Sequence, residues 1–322
     1  MTFEQLRIFL MVAELEHVTE AARRLNLTQS AVSGAIATLE NTHQVALFDR
    51  VGRGIRLTEA GRILQEKARG ILAGVQDAET TLGDLSGLRI GALRIFASQT
   101  VASHWLPRFV MEYKALHPAI DLDIAVGNTS QCLDAVQRGA CDLGFVEGEV
   151  ESRLSGPEAA RIAVSAVAQD QLVLIAAPTH PWAVRPPARL RQGFAAQLWV
   201  MRESGSGTRS SFEDQLRRMG GDPAALRVMM EFSTNEAVCS AVEHSPCLGV
   251  VPRLVAGPLI EAGRLVALPF TLDARPFLQL RHLERHFSRA ARAFADLVAG
   301  HAGAEGSGGS VDDAPQPVLH AE

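Results

Sequence analysis

The chain is 322 residues long and 47 % apolar, with a formal net charge of -5. That is ample for two or three domains with buried cores, and no apolar run approaches the roughly 20 residues that span a bilayer. The acidic balance argues mildly against nucleic acid as a partner, although net charge governs average affinity and a local basic patch holds phosphates regardless.

Leu6, Phe9, Leu10 and Ala13 recur at helical spacing and predict an amphipathic helix over 3–15. Glu4 and Arg7 interrupt what would otherwise be the start of an export signal, so a cytoplasmic location is expected. Ala21, Ala22 and Leu25 form one face of a second helix starting near Thr19, a candidate N-cap with Glu20 in its first turn. Asn26 falls where the chain must turn, and asparagine tolerates the left-handed conformation. Thr28 is the candidate N-cap of a third helix, with Val32, Ile36 and Leu39 inward and Gln29, Ser30, Ser33, Gly34 and Ala37 outward. A small, polar outer face suits a helix entering the major groove, where Gln29 is the best candidate for base readout. A helical hairpin with a solvated polar face has the same spacing. The stretch LFDRVGRGIRLTEAG (47–61) sets Arg50, Arg53 and Arg56 around Gly52 and Gly54, then Leu57 and a helix N-cap at Thr58. It reads as a two-stranded wing whose tip lies on the phosphate backbone, or as a solvated basic hairpin.

On the motifs AARRLNLTQSAVSGAIATLE and LFDRVGRGIRLTEAG, residues 1–61 resemble the winged helix-turn-helix domain of LysR-type transcriptional regulators. The resemblance implies sequence-specific binding of double-stranded operator DNA, with Thr28, Gln29, Ser30, Ser33, Arg50, Arg53 and Arg56 as candidate contacts, and leaves room for RNA polymerase as a partner. Members of that family typically carry a basic residue where this chain has Gly34, and often others at Ala37 and Thr38. This departure shifts weight to the wing arginines.

Beyond Thr58, Leu64, Ala68, Ile71, Val75, Ala78, Leu82 and Leu85 alternate spacings of four and three, the seam of a coiled coil in a linker helix over 58–86. A lone amphipathic helix lying on its own domain shares that spacing. The family resemblance implies pairing instead, as a homodimer or homotetramer whose recognition helices reach successive half-sites. Gly83 and Gly87 end the helix.

From there short apolar runs alternate with helical stretches. Strands are predicted at 88–98, 120–126, 141–146, 171–177, 198–201, 227–232, 247–251 and 264–270. Helices are predicted at 101–117, at 129–138, from near Thr208, from Asn235 and from Ser288 to about Val298. This is α/β architecture with mainly parallel strands in two subdomains. Residues 89–300 resemble the two-lobed, type 2 periplasmic-binding-protein-like effector domain of the same family. That resemblance implies lobe 1 at about 89–163 and 268–300, lobe 2 at about 164–267, and a small-molecule cleft between them. The expected fold is thus an all-α winged helix-turn-helix with a long linker helix, followed by a two-lobed α/β domain. The Gly-, Ser-, Pro- and acid-rich stretch 303–322 is expected to be a disordered tail.

Two polar loops carry the functional expectation. ASQTVASHW places Ser98, Gln99 and Thr100 where a strand feeds a helix, and MRESGSGTRSSF does the same with Ser204, Gly205, Ser206, Gly207 and Thr208. Helix N-termini offer free N–H groups and a positive dipole end, so two such loops facing each other form an anion site without a metal or other cofactor. Thr129 adds a third hydroxyl, and Arg202 favours a small anionic metabolite or inorganic oxyanion. Simple N-capping is the plainer reading of each loop alone. The ESGSGTR form resembles regulators near the sulfur-metabolism and carbon-fixation branches of the family.

Enzymatic chemistry is not expected: the Gly-Ser-Gly run lacks the glycine two residues before Ser206 that a nucleophile elbow needs, and it lacks a P-loop lysine. Cys132, Cys141, Cys239 and Cys247 form no Cys-x-x-Cys pair and have no histidine cluster beside them, against a zinc site or a disulfide framework. Some members of the family sense oxidants through cysteines, which keeps a redox-sensing variant using Cys239 and Cys247 as an alternative. Cys239 lies beside Val238 and Val242 on a helix face, however, and Cys247 heads an apolar strand, so buried thiols are expected.

Overall fold

The computed structural model describes residues 1–51, 54–85, 91–150, 154, 159–187 and 190–305. The chain opens with helices α1 (Phe3–Leu15), α2 (Val18–Arg24) and α3 (Gln29–His43) and a hairpin of β1 (Phe48–Val51) and β2 (Gly54–Leu57). Side-chain chemistry sets each boundary. Thr2 and Gln5 cap α1 reciprocally. The cap of α2 is His17 and not Thr19: its Nδ1 accepts the Glu20 N–H at 3.2 Å, so the helix begins earlier than predicted. Asn26 adopts φ 55°, in the left-handed region, and Thr28 caps α3 by accepting the Ala31 N–H at 3.2 Å. Phe9, Val12, Ala21, Val32 and Leu39 close a core beneath these helices.

Helix α4 (Glu59–Leu85) runs 27 residues, about 40 Å. The Thr58 hydroxyl starts it by accepting the Gly61 N–H at 3.0 Å and donating to the Ala46 carbonyl at 2.8 Å. Here the expected seam is corrected. Ala68 is fully buried and Leu64 packs beside it in the N-terminal core, because the first turns of α4 must cover α1. The outward stripe therefore begins at Ile71, which is 43 % exposed, and includes half-buried Val75, exposed Ala78 and Leu82 at 67 %. The side chain of Leu85 and residues 86–90 lie outside the described residues.

The C-terminal part continues with β3 (Gly91–Ser98), α5 (Gln99–His104), α6 (Leu106–Leu116), β4 (Ile120–Gly127), α7 (Thr129–Gln137), β5 (Leu143–Glu147) and β6 (Ile162–Ala176). Next come α8 (Pro181–Val184), β7 (Leu198–Arg202), α9 (Gly207–Arg218), β8 (Arg227–Phe232), α10 (Asn235–Glu243) and β9 (Leu248–Pro252). The last elements are α11 (Arg253–Glu261), β10 (Val266–Ala267), β11 (Ala274–His282) and α12 (Arg289–Glu305). The strands lie in the order β4-β3-β5-β11-β6-β9-β7-β8, with β10 on β6. Parallel pairing of β3 with β4 and β5, and of β7 with β8 and β9, makes two α/β lobes. An antiparallel β6–β11 ribbon carries the chain between them.

The lobes divide later than expected at both crossings. β6 pairs with β11 through Gln171 and with β9 from Leu172, and Val167 still packs in the first lobe's core. Leu268 and Leu272 belong to the second lobe's core, so the return crossing falls at about Asp273 instead of 267/268. The predicted helix over 101–117 is two helices: buried Trp105 ends α5, and Pro107 sits in the first turn of α6. The predicted strand over 264–270 shrinks to β10, while α11 and β11 were not foreseen. Helix α12 runs to Glu305, past the predicted domain end and into the first residues of the expected tail; residues 306–322 lie outside the described residues. Among the described residues no helix is long and apolar enough to cross a membrane.

Candidate DNA interface and effector cleft

The outward face of α3 presents Gln29, Ser30 and Ser33 to solvent. The Thr28 hydroxyl is committed to the helix start, 3.0 Å from Ser30 Oγ as well as bonded to the Ala31 N–H. Gln29 and Ser33 line a groove with Arg50, Gly54 and Ile55 of the hairpin and with Glu16, His17, Val18 and Thr19 at the start of α2. The register sets Arg50 opposite Ile55 and Asp49 opposite Arg56. Side chains alternate across a strand, so Arg50 shares the face of Ile55, turned toward α3, and Arg56 lies on the other face beside Asp49. The two arginines do not act as one patch. Arg53 lies outside the described residues. Arg23 and Arg24 are tied to Glu20 at 2.7 and 3.5 Å, and the Arg23 hydrogen bond holds the Glu20 carboxyl below its usual range. A Cβ built at Gly34 meets nothing within 4 Å, and Thr38 turns its hydroxyl back onto the Gly34 carbonyl at 2.7 Å. Groove residues Glu16 and His17 were missed because nothing local marks the chain entering α2 as part of a surface made with α3.

Between the lobes the polar loops converge at the carboxyl ends of β3, β5 and β7, where open α/β sheets hold ligands. Ser98, Thr100, Thr129, Ser206 and Thr208 are all buried. Ser98 and Ser206 occupy N-cap positions, yet neither side chain caps its helix. The plainer reading of the loops as caps therefore fails for both. Ser98 Oγ and Thr100 Oγ1, the latter at 3.2 Å, donate instead to the carboxylate of Glu147, which is 2 % exposed.

The lobes are closed on one another. Gln99 Oε1 accepts from Arg202 Nη1 at 3.2 Å and from Asn235 Nδ2 at 2.9 Å, and its Nε2 donates to Glu236 at 2.8 Å. Asn235 Nδ2 also donates to Thr100 Oγ1 at 2.9 Å, and His104 Nε2 lies 2.9 Å from Glu236. Gly205, at φ +89°, lets its carbonyl reach the Ser130 N–H at 3.3 Å, and Ser204 stays exposed at the rim. A Cβ on Gly207 would come within 2.5 Å of Thr129 Oγ1, so glycine is what permits this approach.

Arg202 does not present a free cation to the cleft: its Nε and Nη2 hold the Glu203 carboxylate at 2.8 and 3.1 Å. The cation beside the hydroxyls is Arg275 of β11. It grips Asp170 through Nη2 at 2.7 Å and Nε at 3.0 Å, donates to Thr208 Oγ1 at 3.2 Å, and lies 3.8 Å from Glu147. Burial pushes the Asp170 carboxyl up, with Arg275 pulling it back. Glu147, Asp170, Asn235 and Arg275 escaped the sequence reading because their partners lie 47 to 136 residues away. The one usable signal was Glu147, the residue directly after the apolar strand predicted at 141–146, where the observed strand ends.

Three buried polar atoms facing this region have no partner among the described residues: Thr129 Oγ1, Ser206 Oγ and Asn235 Oδ1. Each orphan costs about 1–3 kcal/mol, and a small ligand rich in oxygen would satisfy the two hydroxyls. Cys239 and Cys247 are fully buried and form no disulfide, and burial pushes the Cys239 thiol up to about 12, opposite to what a reactive thiolate needs.

Residues 86–303 match the family model of the LysR substrate binding domain, and residues 3–62 match that of the bacterial regulatory helix-turn-helix protein, lysR family. The chain is 34 % identical over 297 residues to the uncharacterized HTH-type transcriptional regulator YeiE of Escherichia coli (strain K12), covering 92 % of this chain and 96 % of that protein. It is 32 % identical over 299 residues to the RuBisCO operon transcriptional regulator of Allochromatium vinosum, covering 92 % and 95 %. The solved structure of full-length CbnR complexed with its target DNA shares the fold with a TM-score of 0.64, at 19 % identity, over 92 % of this chain and 99 % of that one.

Proposed function

The chain belongs to the LysR family of DNA-binding transcriptional regulators, and from that premise we propose that a small anionic metabolite or inorganic oxyanion binds between its lobes and changes its grip on operator DNA. The observation that carries the proposal is the pair of orphaned, buried hydroxyls, Thr129 and Ser206, beside the Ser98 and Thr100 hydroxyls. Hydroxyl donors in a closed, dry cleft favour an anionic acceptor. An anion arriving there competes with Glu147 for Ser98 and Thr100, and Arg275, 3.8 Å from Glu147, is the cation toward which the displaced carboxylate can turn. The effector shifts DNA binding by the difference between its affinities for the two arrangements of the lobes.

Thr129→Val and Ser206→Ala test this with two readouts of opposite sign. Each removes an orphan, so the effector-free protein melts at an unchanged or higher temperature. Each also weakens the oxyanion that thermal-shift screening identifies by about 0.5–3 kcal/mol. Wild-type affinity in both variants would remove the effector from this cleft.

On the DNA side, Gln29 reads a base edge with Ser30 and Ser33 close by, Thr28 sets the start of the recognition helix, and Arg50, Arg53 and Arg56 hold phosphates. Gln29→Ala is expected to narrow the gap between operator and random DNA by about 1–3 kcal/mol. Arg50→Ala weakens both and flattens the salt dependence by about one counterion. Competition binding at several salt concentrations separates the two, and an unchanged specificity ratio in Gln29→Ala defeats the groove assignment. Two copies pair through Ile71, Val75, Ala78, Leu82 and Leu85, which sets two recognition helices on successive half-sites.

A further inference from the structure

We propose that the joint between α4 and the first lobe is a second anion site, separate from the inter-lobe cleft and built for a phosphate or diphosphate group. Residues 281–292, RHLERHFSRAAR, hold four arginines against one glutamate, a formal +3 within a chain of -5. The structure gathers Arg281, Arg285 and His286 with Arg94 of β3 around a shallow cleft whose far wall is Ala73 of α4. Among the described residues the one carboxylate lining it, Asp142, is taken: it accepts from Arg94 Nη2 at 2.7 Å and from the Arg94 N–H at 2.8 Å.

Arg281 and Arg285 pair with no carboxylate among the described residues, and both are half-buried. Arg281 lies over the ring of Phe287 at 4.5 Å from its centroid, and Arg292 approaches the same ring at 4.8 Å, so two like charges share one face-seeking contact. Arg285 fills a space left by two glycines. A Cβ on Gly139 would stand 2.8 Å from the guanidinium, and one on Gly74 of α4 would stand 3.8 Å away. Gly139, at φ +66°, closes the carbonyl end of α7, whose negative dipole end steadies the cation. The guanidiniums are thus positioned in advance and meet no anion among the described residues. Their planar forks match phosphate oxygens, which a single rotating ammonium would not. Because one wall is the linker helix and the others are the first lobe, an occupant holds the helix to the lobe and biases the geometry offered to the operator.

Calorimetric titration of the full chain with inorganic pyrophosphate and with ADP, at constant ionic strength, tests the site. Saturable binding is expected, weakened about tenfold or more by Arg281→Gln and by Arg285→Gln, with hydrogen exchange slowed around Ala73 and Gly74 on binding. Arg285→Gln also removes the packing of Arg285 against Gly139 and Gly74 at the joint; Arg281, which lies over Phe287 away from those glycines, keeps the test sound. Thr129→Val binds pyrophosphate as the wild type does, which separates this site from the inter-lobe cleft. Tighter binding of ADP assigns the phosphate to a nucleotide and tighter pyrophosphate assigns it to the free diphosphate; either order supports the site. No saturable heat, wild-type affinity in both arginine variants, or loss of binding in Thr129→Val overturns it.

Discussion

Arg275→Met is expected to destabilise the two-lobed domain by about 3–5 kcal/mol at neutral pH and by much less in mild acid. Methionine occupies similar volume but leaves Asp170, directly opposite residue 275 near one end of the β6–β11 ribbon, as a buried carboxylate without its cation. In the wild type, burial raises the Asp170 pKa while Arg275 opposes it by charge and by hydrogen bonding. A carboxyl whose folded pKa is raised contributes stability below its unfolded pKa and loses that contribution as pH rises through the folded value. Removing Arg275 deletes both opposing influences, so the folded pKa climbs further and the variant binds a proton that the wild type does not. The penalty of the substitution therefore shrinks as pH falls through that raised value and is complete above it. Trp105, Trp182 and Trp199 all lie in this domain, so urea unfolding followed by tryptophan fluorescence at pH 5 and pH 7.5 reads the effect directly. A loss equal at both pH values would assign the cost to packing and not to the stranded charge.

The double substitution Ile71→Asp with Val75→Asp is expected to dissociate the proposed linker-helix pair. Four carboxylates in one seam leave unpaired charge buried, at a cost of several kcal/mol. Sedimentation should show monomers, and operator affinity should fall by about 10²-fold or more as the second half-site is no longer tethered. The inward turn of Leu64 and Ala68 supplies an internal contrast. Leu64→Asp strikes the N-terminal core and unfolds the DNA-binding domain, visible by circular dichroism, whereas the outward pair leaves helix content intact. A full-size, DNA-competent assembly from the double variant would reject the seam.

The N-terminal elements were legible because their signals are local. Thr28, Asn26 and the spacing of Val32, Ile36 and Leu39 each act within one or two turns, and the structure uses them as read. His17 displaced Thr19 as a cap because an imidazole nitrogen accepts an N–H as a hydroxyl does, a substitution that cap preferences rank low. Farther along, β11 was hidden because RPFLQLRH mixes Arg275, Gln279 and Arg281 into a strand buried by its neighbours. The part of β6 before the predicted strand, IAVSAVAQD (162–170), has too little apolar bulk to register as a strand. The cleft was half visible. Strand-to-helix loops announce Ser98 and Ser206, but the groups that fill the space between them come from strands paired across the whole domain. Arg202 shows the limit: its charge was read correctly, and Glu203, one residue on, neutralises it in place.

Gly34 has a meaning for how such a protein can change. A glycine in the middle of an exposed helix costs roughly 0.5–1 kcal/mol against alanine, and the empty surroundings of its Cβ position return nothing to the subunit. No neighbour constrains the residue, and the hydroxyl of Thr38 is folded away on the Gly34 carbonyl. Any side chain except proline installed there adds helix stability while altering the outer contour alone, so target preference and fold can drift independently at this point. The proposed recognition helix thus keeps one position where a new regulatory connection can be made in a single step without endangering the molecule that makes it.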